Sequence, residues 1–455
     1  MPKTIFNTTE KSNFILNMKE ENVDRLSLFV LAGVCIIMTL SQIPAEFSYS
    51  LTDVPFLALG ISGVLVVVTG IILILRKHMV KNNIAGLAIM LFLFVWSMVS
   101  YYNSYNLKTS LWGQDGRYDG LVTMIIYIFL FISASMISDG KIERLFDIMT
   151  GAGLFQCFWA VYQLFPFGKS YYRNLEAIAE KNVYLTSGLA GNPFFFAMLM
   201  SVLLSVSVFG AVFGSDRRHR IYYGTASVIF TLAALQTHTV SAVIAVIVIY
   251  AVSLITAAVK HKLNKISLIM FILGIAAIIV ELAAGYRFYD GGIAWQDSFY
   301  RLGVTGYYSF TYSDFDVNSL KEVYSYFWNE ALEAIKDFPL AGTGIDCFSY
   351  TQYKTSNILQ YELNSIDRPY NDYLFLAATR GIPYLAGYAA LLVYTLVNSI
   401  RNALKNNEWY YKAMPFAVVI FMIVSIFNNS SVGVMPFIWI ILGLSAKNRK
   451  NNGQT

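Results

Sequence analysis

Arginine and aspartate stand close together in two short stretches, Arg117-Tyr118-Asp119-Gly120 and Arg368-Pro369-Tyr370-Asn371-Asp372-Tyr373, and Arg380 follows shortly after the second. A guanidinium is planar, always charged, and matches two phosphate oxygens with its fork of N–H donors. A carboxylate or imidazole beside a hydroxyl can take its proton. The candidate bases are therefore Asp119, Asp372 and His238. The candidate anion contacts are Arg117, Arg301, Arg368 and Arg380, and Tyr118 offers a ring for stacking on a sugar. Each has a plain structural alternative. Arg117 and Asp119 can pair at a helix end, His238 can cap a loop, and Asp367 can neutralise a nearby arginine. Glu281 can pair with Arg287 without any part in chemistry.

The elements that must position these groups are apolar. The chain has 455 residues, of which 56% are hydrophobic and 13% charged. Runs of about 18 or more apolar residues recur, the length a bilayer requires. Backbone groups in lipid must pair internally, so such runs are helices. Twelve spans can be drawn: 26–43, 55–75, 84–102, 120–138, 145–167, 193–214, 221–237, 239–259, 266–285, 382–399, 413–427 and 432–445. The expected fold is an all-α polytopic membrane protein of about twelve transmembrane helices. No cleavage site follows the first span, which reads as uncleaved. Cys35 and Cys157 lie in apolar runs and Cys347 in a loop, so no disulfide framework is implied.

The loops alternate in charge. Arg76, Lys77 and Lys81; Lys141 and Arg144; Arg217, Arg218 and Arg220; Lys260, Lys262 and Lys265; Arg401, Lys405 and Lys412; and Lys447, Arg449 and Lys450 fall on one side, with the basic N-terminus. The positive-inside rule makes that side cytoplasmic, with both termini there. The expected organisation is a cytoplasmic N-terminus (1–25), a polytopic domain (26–446) and a cytoplasmic tail (447–455). Net charge is +5, but its place in short loops marks orientation rather than nucleic-acid binding. The largest external loop, 286–371, lies between spans nine and ten, and a loop of that length carries function or structure of its own. Within it, Ser319 to Glu322 forms a capping box. Leu320, Val323, Tyr324, Phe327, Ala331, Leu332 and Ile335 follow at helical spacing. This predicts an amphipathic helix over 319–337, ended by Pro339.

Four stretches beside the external loops carry a resemblance: Gly113–Leu121 (GQDGRYDGL), Gly188–Ala197 (GLAGNPFFFA), Trp328–Phe348 (WNEALEAIKDFPLAGTGIDCF) and Asp367–Leu374 (DRPYNDYL). In order and spacing they resemble the O-antigen ligase and polymerase family of bacterial membrane glycosyltransferases. The resemblance runs from about Arg117 to Gly387, with its domain-like region at about 190–390. It implies transfer or polymerisation of a polyprenyl-diphosphate-linked glycan at the outer face of the bacterial plasma membrane. The acceptor would be a glycan, lipid or wall component. It also implies no metal, no cofactor and no nucleic-acid partner, and adds Tyr370 and Asn371 to the substrate contacts. No nucleotide-binding glycine loop or metal cluster is visible in the chain.

The chain departs from the family pattern at three places. Tyr370 stands where the family shows a histidine. Tyr324 and about Val240 align with positions where it often shows arginine. These departures sustain a second expectation, a relative that binds or moves lipid-linked glycan without transferring it.

Overall fold

Each of the twelve apolar segments forms a helix. The computed structural model describes residues 18–44, 51, 53–76, 83–164, 186–237, 239–288, 317–351 and 368–447. The chain is a polytopic all-α membrane protein. Helices α1 (Glu20–Ser41), α2 (Val54–Leu75) and α3 (Ile84–Tyr102) precede a short α4 (Leu107–Trp112). Then come α5 (Leu121–Met136), α6 (Asp139–Leu164), α7 (Pro193–Phe213), α8 (Arg217–Leu235), α9 (Val240–Val259) and α10 (Lys265–Phe288). The C-terminal part holds α11 (Val317–Asp337), α12 (Asp372–Arg380), α13 (Ile382–Lys405), α14 (Trp409–Val424) and α15 (Met435–Ala446). Seven of these, α1, α2, α3, α6, α7, α9 and α13, are long and apolar enough to cross a membrane. Helices α5, α14 and α15 are apolar but shorter, as is the Lys265–Val280 part of α10. Helix α8 opens on Arg217, Arg218, His219 and Arg220, which dilutes its apolar character.

Helix α7 is the axis of the bundle and is buried from Pro193 to Val212. It packs on α6, α8, α9, α10 and α14, while α5 packs on α2 and α15. Lipid supplies little hydrophobic drive between helices, so small residues set the close contacts. A Cβ on Gly63 or Gly70 of α2 would meet Ile126 or Phe129 of α5 at about 2.5 Å. The outer faces of α2, α3, α9 and α10 expose Ile61, Leu91, Val259 and Ile279, the surface that a lipid solvent demands.

The charge alternation is reproduced in space. At one end, Arg76 donates to the Met18 carbonyl at 2.7 Å and Lys447 pairs with Asp139. Trp409 there donates to Glu143 at 2.8 Å, and Tyr222 to the Asp147 carbonyl at 3.0 Å. The other end holds Asp53, Tyr118, Asp346, Arg368 and the loop between α14 and α15.

The expected amphipathic helix begins at Val317, slightly ahead of Ser319. Phe327, Ala331 and Ala334 pack against Phe348, Phe375 and Ala378, so α11 lies on α12. Leu332, expected in the apolar stripe, is 44% exposed, and Ala334 takes the buried position instead. Close approach to α12 favours the smaller side chain.

The turn after α11 docks on the end of α12. Thr343 and Gly344 donate their N–H groups to the carbonyls of Ala378 and Thr379, both at 3.0 Å, and Ile382 donates to Pro339 at 2.8 Å. These bonds satisfy carbonyls that a helix end leaves open. Gly342 has φ +68°, and a Cβ there would lie 2.2 Å from the Thr379 carbonyl carbon. Gly381 has φ +84°, and its Cβ would meet the Leu340 oxygen at 1.8 Å. Only glycine accepts both the left-handed conformation and the contact. Gly342→Ala is expected to cost at least about 1–3 kcal/mol through backbone strain. The check is the thermal midpoint of the detergent-purified protein. An unchanged midpoint would refute the close approach.

Candidate functional site

Three carboxylates and two guanidinium groups gather at the Arg368 end of the bundle, nearly all out of solvent. Arg368 is 1% exposed. It donates to Asp346 Oδ1 at 3.0 Å, to the Ser430 carbonyl at 2.6 Å and to Ser430 Oγ at 3.2 Å. Its guanidinium lies 3.8 Å from Asp119 Oδ2 and 4.5 Å above the Phe375 ring. Asp346 is the hub of the cluster. Its other oxygen accepts the backbone N–H of Gln114 at 2.8 Å and of Asp119 at 3.3 Å. One aspartate therefore joins the Gly113–Leu121, Trp328–Phe348 and Asp367–Leu374 stretches.

The fourth stretch joins through aromatic contact. Asn192 caps α7 by accepting the Phe194 N–H at 2.8 Å, and Pro193 follows at the first helical position. This start is favourable because the capping oxygen meets an otherwise open donor and proline lacks one. Phe194 then meets Tyr370, with centroids 5.4 Å apart, and Phe195 lies 5.2 Å under the guanidinium of Arg117.

Asp372 opens α12 and is 5% exposed. Asn371 caps that helix through the Leu374 N–H at 3.0 Å. Asp372 Oδ1 accepts the Ser430 N–H at 2.8 Å. Burial pushes its carboxyl up to about 7 against the attraction of Arg368, and the charge on Asp119 adds to the rise. A half-protonated carboxyl at neutral pH suits proton transfer.

Arg380, 3% exposed, donates to the Tyr384 hydroxyl at 2.7 Å and to the Asp119 carbonyl at 3.4 Å. Its guanidinium also covers the Tyr384 ring at 4.8 Å. The Nε–H groups of Arg368 and Arg380 have no hydrogen-bond partner among the described residues, nor do Asn429 Oδ1 and Ser431 Oγ, which flank Ser430. Buried polar atoms are seldom left so, and each calls for an explanation such as a ligand or water.

The backbone is strained in the same place. Four described non-glycine residues have positive φ, and three of them, Tyr118 (54°), Asp346 (56°) and Tyr370 (52°), border this cluster. Strain of this kind collects at functional sites, where the surroundings over-determine it.

The residues predicted from the sequence fare differently. Asp119, Arg368, Asp372 and Arg380 are brought together. Arg117 stands at the rim, half-buried. Tyr118 stacks on Phe56 at 4.6 Å and donates its hydroxyl to Asp53, so its ring is committed to the protein. Asn371 serves as a helix cap. Tyr370 packs between Phe194 and Phe327, 5.0 Å from the latter. His238, Arg301 and Asp367 lie outside the described residues, as do the side chains of Glu281, Arg287 and Tyr324. Val240 opens α9 beside Thr239, which caps it, and Ser241, which donates to Asn428 at 3.0 Å.

Sequence reasoning missed Asp346, Tyr384 and the Asn428–Ser431 loop. The loop had a signal, four consecutive polar residues between two apolar runs. Tyr384 had none, because Gly381 at φ +84° ends the helix of Arg380 and Tyr384 belongs to the next one. Asp346 had none: its partners Gln114 and Arg368 come from distant parts of the chain.

The described residues define an all-α multi-pass membrane protein with a buried ionic cluster at the end of the bundle away from Arg76 and Lys447. Residues 225–389 match the family model described as O-antigen ligase, and the chain is a multi-pass bacterial membrane protein with a region similar to that domain. No curated protein matches the chain. The matched stretch holds Asp346, Arg368, Asp372, Arg380 and Tyr384, whereas Arg117, Asp119 and Ser430 lie beyond its ends. Glycan transfer or ligation at a membrane is the general function this domain supports.

Proposed function

We propose that the chain transfers or polymerises a polyprenyl-diphosphate-linked glycan at the outer face of the bacterial plasma membrane, with both termini cytoplasmic. The observation that carries this reading is the convergence of all four family-like stretches on one buried ionic cluster. In the proposed reaction, the acceptor hydroxyl gives its proton to the Asp372 carboxylate as its oxygen attacks the sugar carbon. The bond from that carbon to the diphosphate breaks, and polyprenyl diphosphate leaves with the electron pair. Arginine here takes the charge-stabilising role, with no metal in the scheme. Arg117, less buried than Arg368 and Arg380, is assigned the diphosphate contact. Arg368 holds Asp346, and Arg380, bonded to the Tyr384 hydroxyl and the Asp119 carbonyl, adds to the positive field. Donors fixed in a dry site stabilise developing charge by several kcal/mol.

A second reading is favoured by one observation. Tyr370, in place of the family histidine, is packed between two phenylalanines as a structural residue. On that reading the chain binds or moves lipid-linked glycan without transfer.

The test is a strain deleted for the gene and complemented with each variant, with glycan product and protein level both measured. A ladder of repeat units indicates a polymerase, and a conjugate on lipid or wall a ligase. Arg117→Ala should lose a charge-assisted contact worth about 1.5–3 kcal/mol, roughly tenfold to a hundredfold in donor affinity or rate. Arg117→Lys should restore part of it, because the bidentate geometry is lost. Normal product from Arg117→Ala removes that residue from the site. No product from the unaltered protein with retained binding of lipid-linked glycan selects the second reading.

A further inference from the structure

At the other end of the bundle, α9 and α13 stand on either side of a cleft floored by α7 and α14. Its volume is about 660 Å³. The walls are apolar, with Phe209, Phe213, Val252, Ile400, Pro415 and Phe416 among them. The mouth is basic: Lys260, Lys262 and Lys412 all line it, together with Asn406 and Asn407. Among the described residues no acid lines the cleft; Glu408, just ahead of α14, is not part of its lining. His261 adopts φ +50° between the two lysines of the α9 end, and both flanking side chains reach the same cleft. Lys412 Nζ stands 5.0 Å above the Phe213 ring. Among the described residues, none of the three ammonium groups has an ion-pair partner within 4 Å.

We infer that this cleft binds an anionic glycerophospholipid of the leaflet opposite the candidate catalytic site, with the phosphodiester among Lys260, Lys262 and Lys412 and an acyl chain between α9 and α13. Two observations commit the occupant to a lipid rather than a soluble anion. The α9 wall runs from Val248 to Lys260. At 1.5 Å per residue that is about 18 Å, close to the depth of one leaflet of a bilayer about 30 Å thick. The charge sits only at the mouth, where headgroups lie, and basic pockets between membrane helices suit such headgroups. The inference is independent of the proposed transfer reaction.

The experiment uses the full-length protein in detergent. Native mass spectrometry and thermal midpoint are read with dioleoyl phosphatidylglycerol, with dioleoyl phosphatidylcholine and with glycerol 3-phosphate. Phosphatidylglycerol should be retained preferentially and should raise the midpoint, and glycerol 3-phosphate should do neither. Each lysine near the surface contributes about fivefold in affinity. The triple variant Lys260→Gln, Lys262→Gln, Lys412→Gln should therefore lose the preference by at least about tenfold, and arginine at all three positions should keep it. Ala403→Trp fills the cleft without altering charge and should lower retention as well. That arm stands by itself if the glutamine variant does not fold. Equal retention of both lipids by the unaltered protein overturns the inference. So does undiminished retention by either the glutamine or the tryptophan variant, or equal stabilisation by glycerol 3-phosphate.

Discussion

Arg368→Ala is expected to unfold or strongly destabilise the protein before any catalytic effect can be read. The side chain is 1% exposed and neutralises Asp346, also 1% exposed, while lying 3.8 Å from Asp119. Removing it leaves two buried carboxylates without their nearest cation. Breaking a buried pair from one side costs about 3–5 kcal/mol, because the desolvated charge remains. Two further bonds would go with it, both to Ser430. The detergent-solubilised variant should show a much lower thermal midpoint or fail to extract as a folded species. Arg368→Lys should recover part, since one ammonium cannot span Asp346 and Ser430 together. The paired change Arg368→Met with Asp346→Asn should recover part of the loss relative to Arg368→Met alone, because Asp346, the carboxylate nearest the lost cation, is no longer charged, while Asp119 still is. Asparagine also tolerates the positive φ at position 346. A midpoint for Arg368→Ala equal to that of the unaltered protein would show that the cluster does not hold the loops together.

Asp372→Asn is expected to separate stability from turnover. In the folded chain the carboxyl is pushed up to about 7, from an ordinary value of 3.8, chiefly by burial. The sign follows from linkage. As pH rises past about 4, the unfolded chain loses this proton while the folded chain keeps it, so stability falls. The fall continues to about pH 7, where the folded carboxyl ionises, and is constant above that. Asparagine keeps the acceptor for the Ser430 N–H and never ionises. The variant should therefore be at least as stable as the parent at pH 8, and lack this component of the pH dependence. Its transfer rate should drop by about 10²–10⁴-fold if Asp372 is the base, with donor binding retained. The parent's rate should climb with pH through about 7 and then level. Full turnover in Asp372→Asn, or a flat rate profile between pH 6 and 8, would sink the assignment and shift the role of base to Asp119 or His238.

The two expectations show where the site's information lies. Asp372, Arg368, Arg380 and Asp119 could be named from residue type and from their place beside apolar runs, since charges near a membrane are costly and mark function. Their partnering could not. Asp346 binds Gln114 across 232 positions, and Ser430 approaches Asp119 across 311. Spacing in a chain reports neighbours on one helix face and is silent on pairs that tertiary packing creates. Tyr118 and Asn371 show the same limit. Both stand in motifs that suggest substrate contact, and packing adds partners that spacing does not announce, Phe56 for the ring of one and the Leu374 N–H for the amide oxygen of the other. The cleft at the opposite end drew no attention as a sequence, because Lys260, Lys262 and Lys412 read there only as orientation signal.

What this sequence determined by itself is the all-α membrane fold and the twelve helical segments. Those depend on run length, apolar content and local charge, which are properties of consecutive residues. The tertiary structure alone decided which carboxylate meets which guanidinium, that α12 and its glycine-lined turn seat both Asp372 and Arg380, and that the α14–α15 loop completes the site. Its reason is desolvation. A buried charge persists only where several distant segments deliver partners to one point, and no single segment records that meeting.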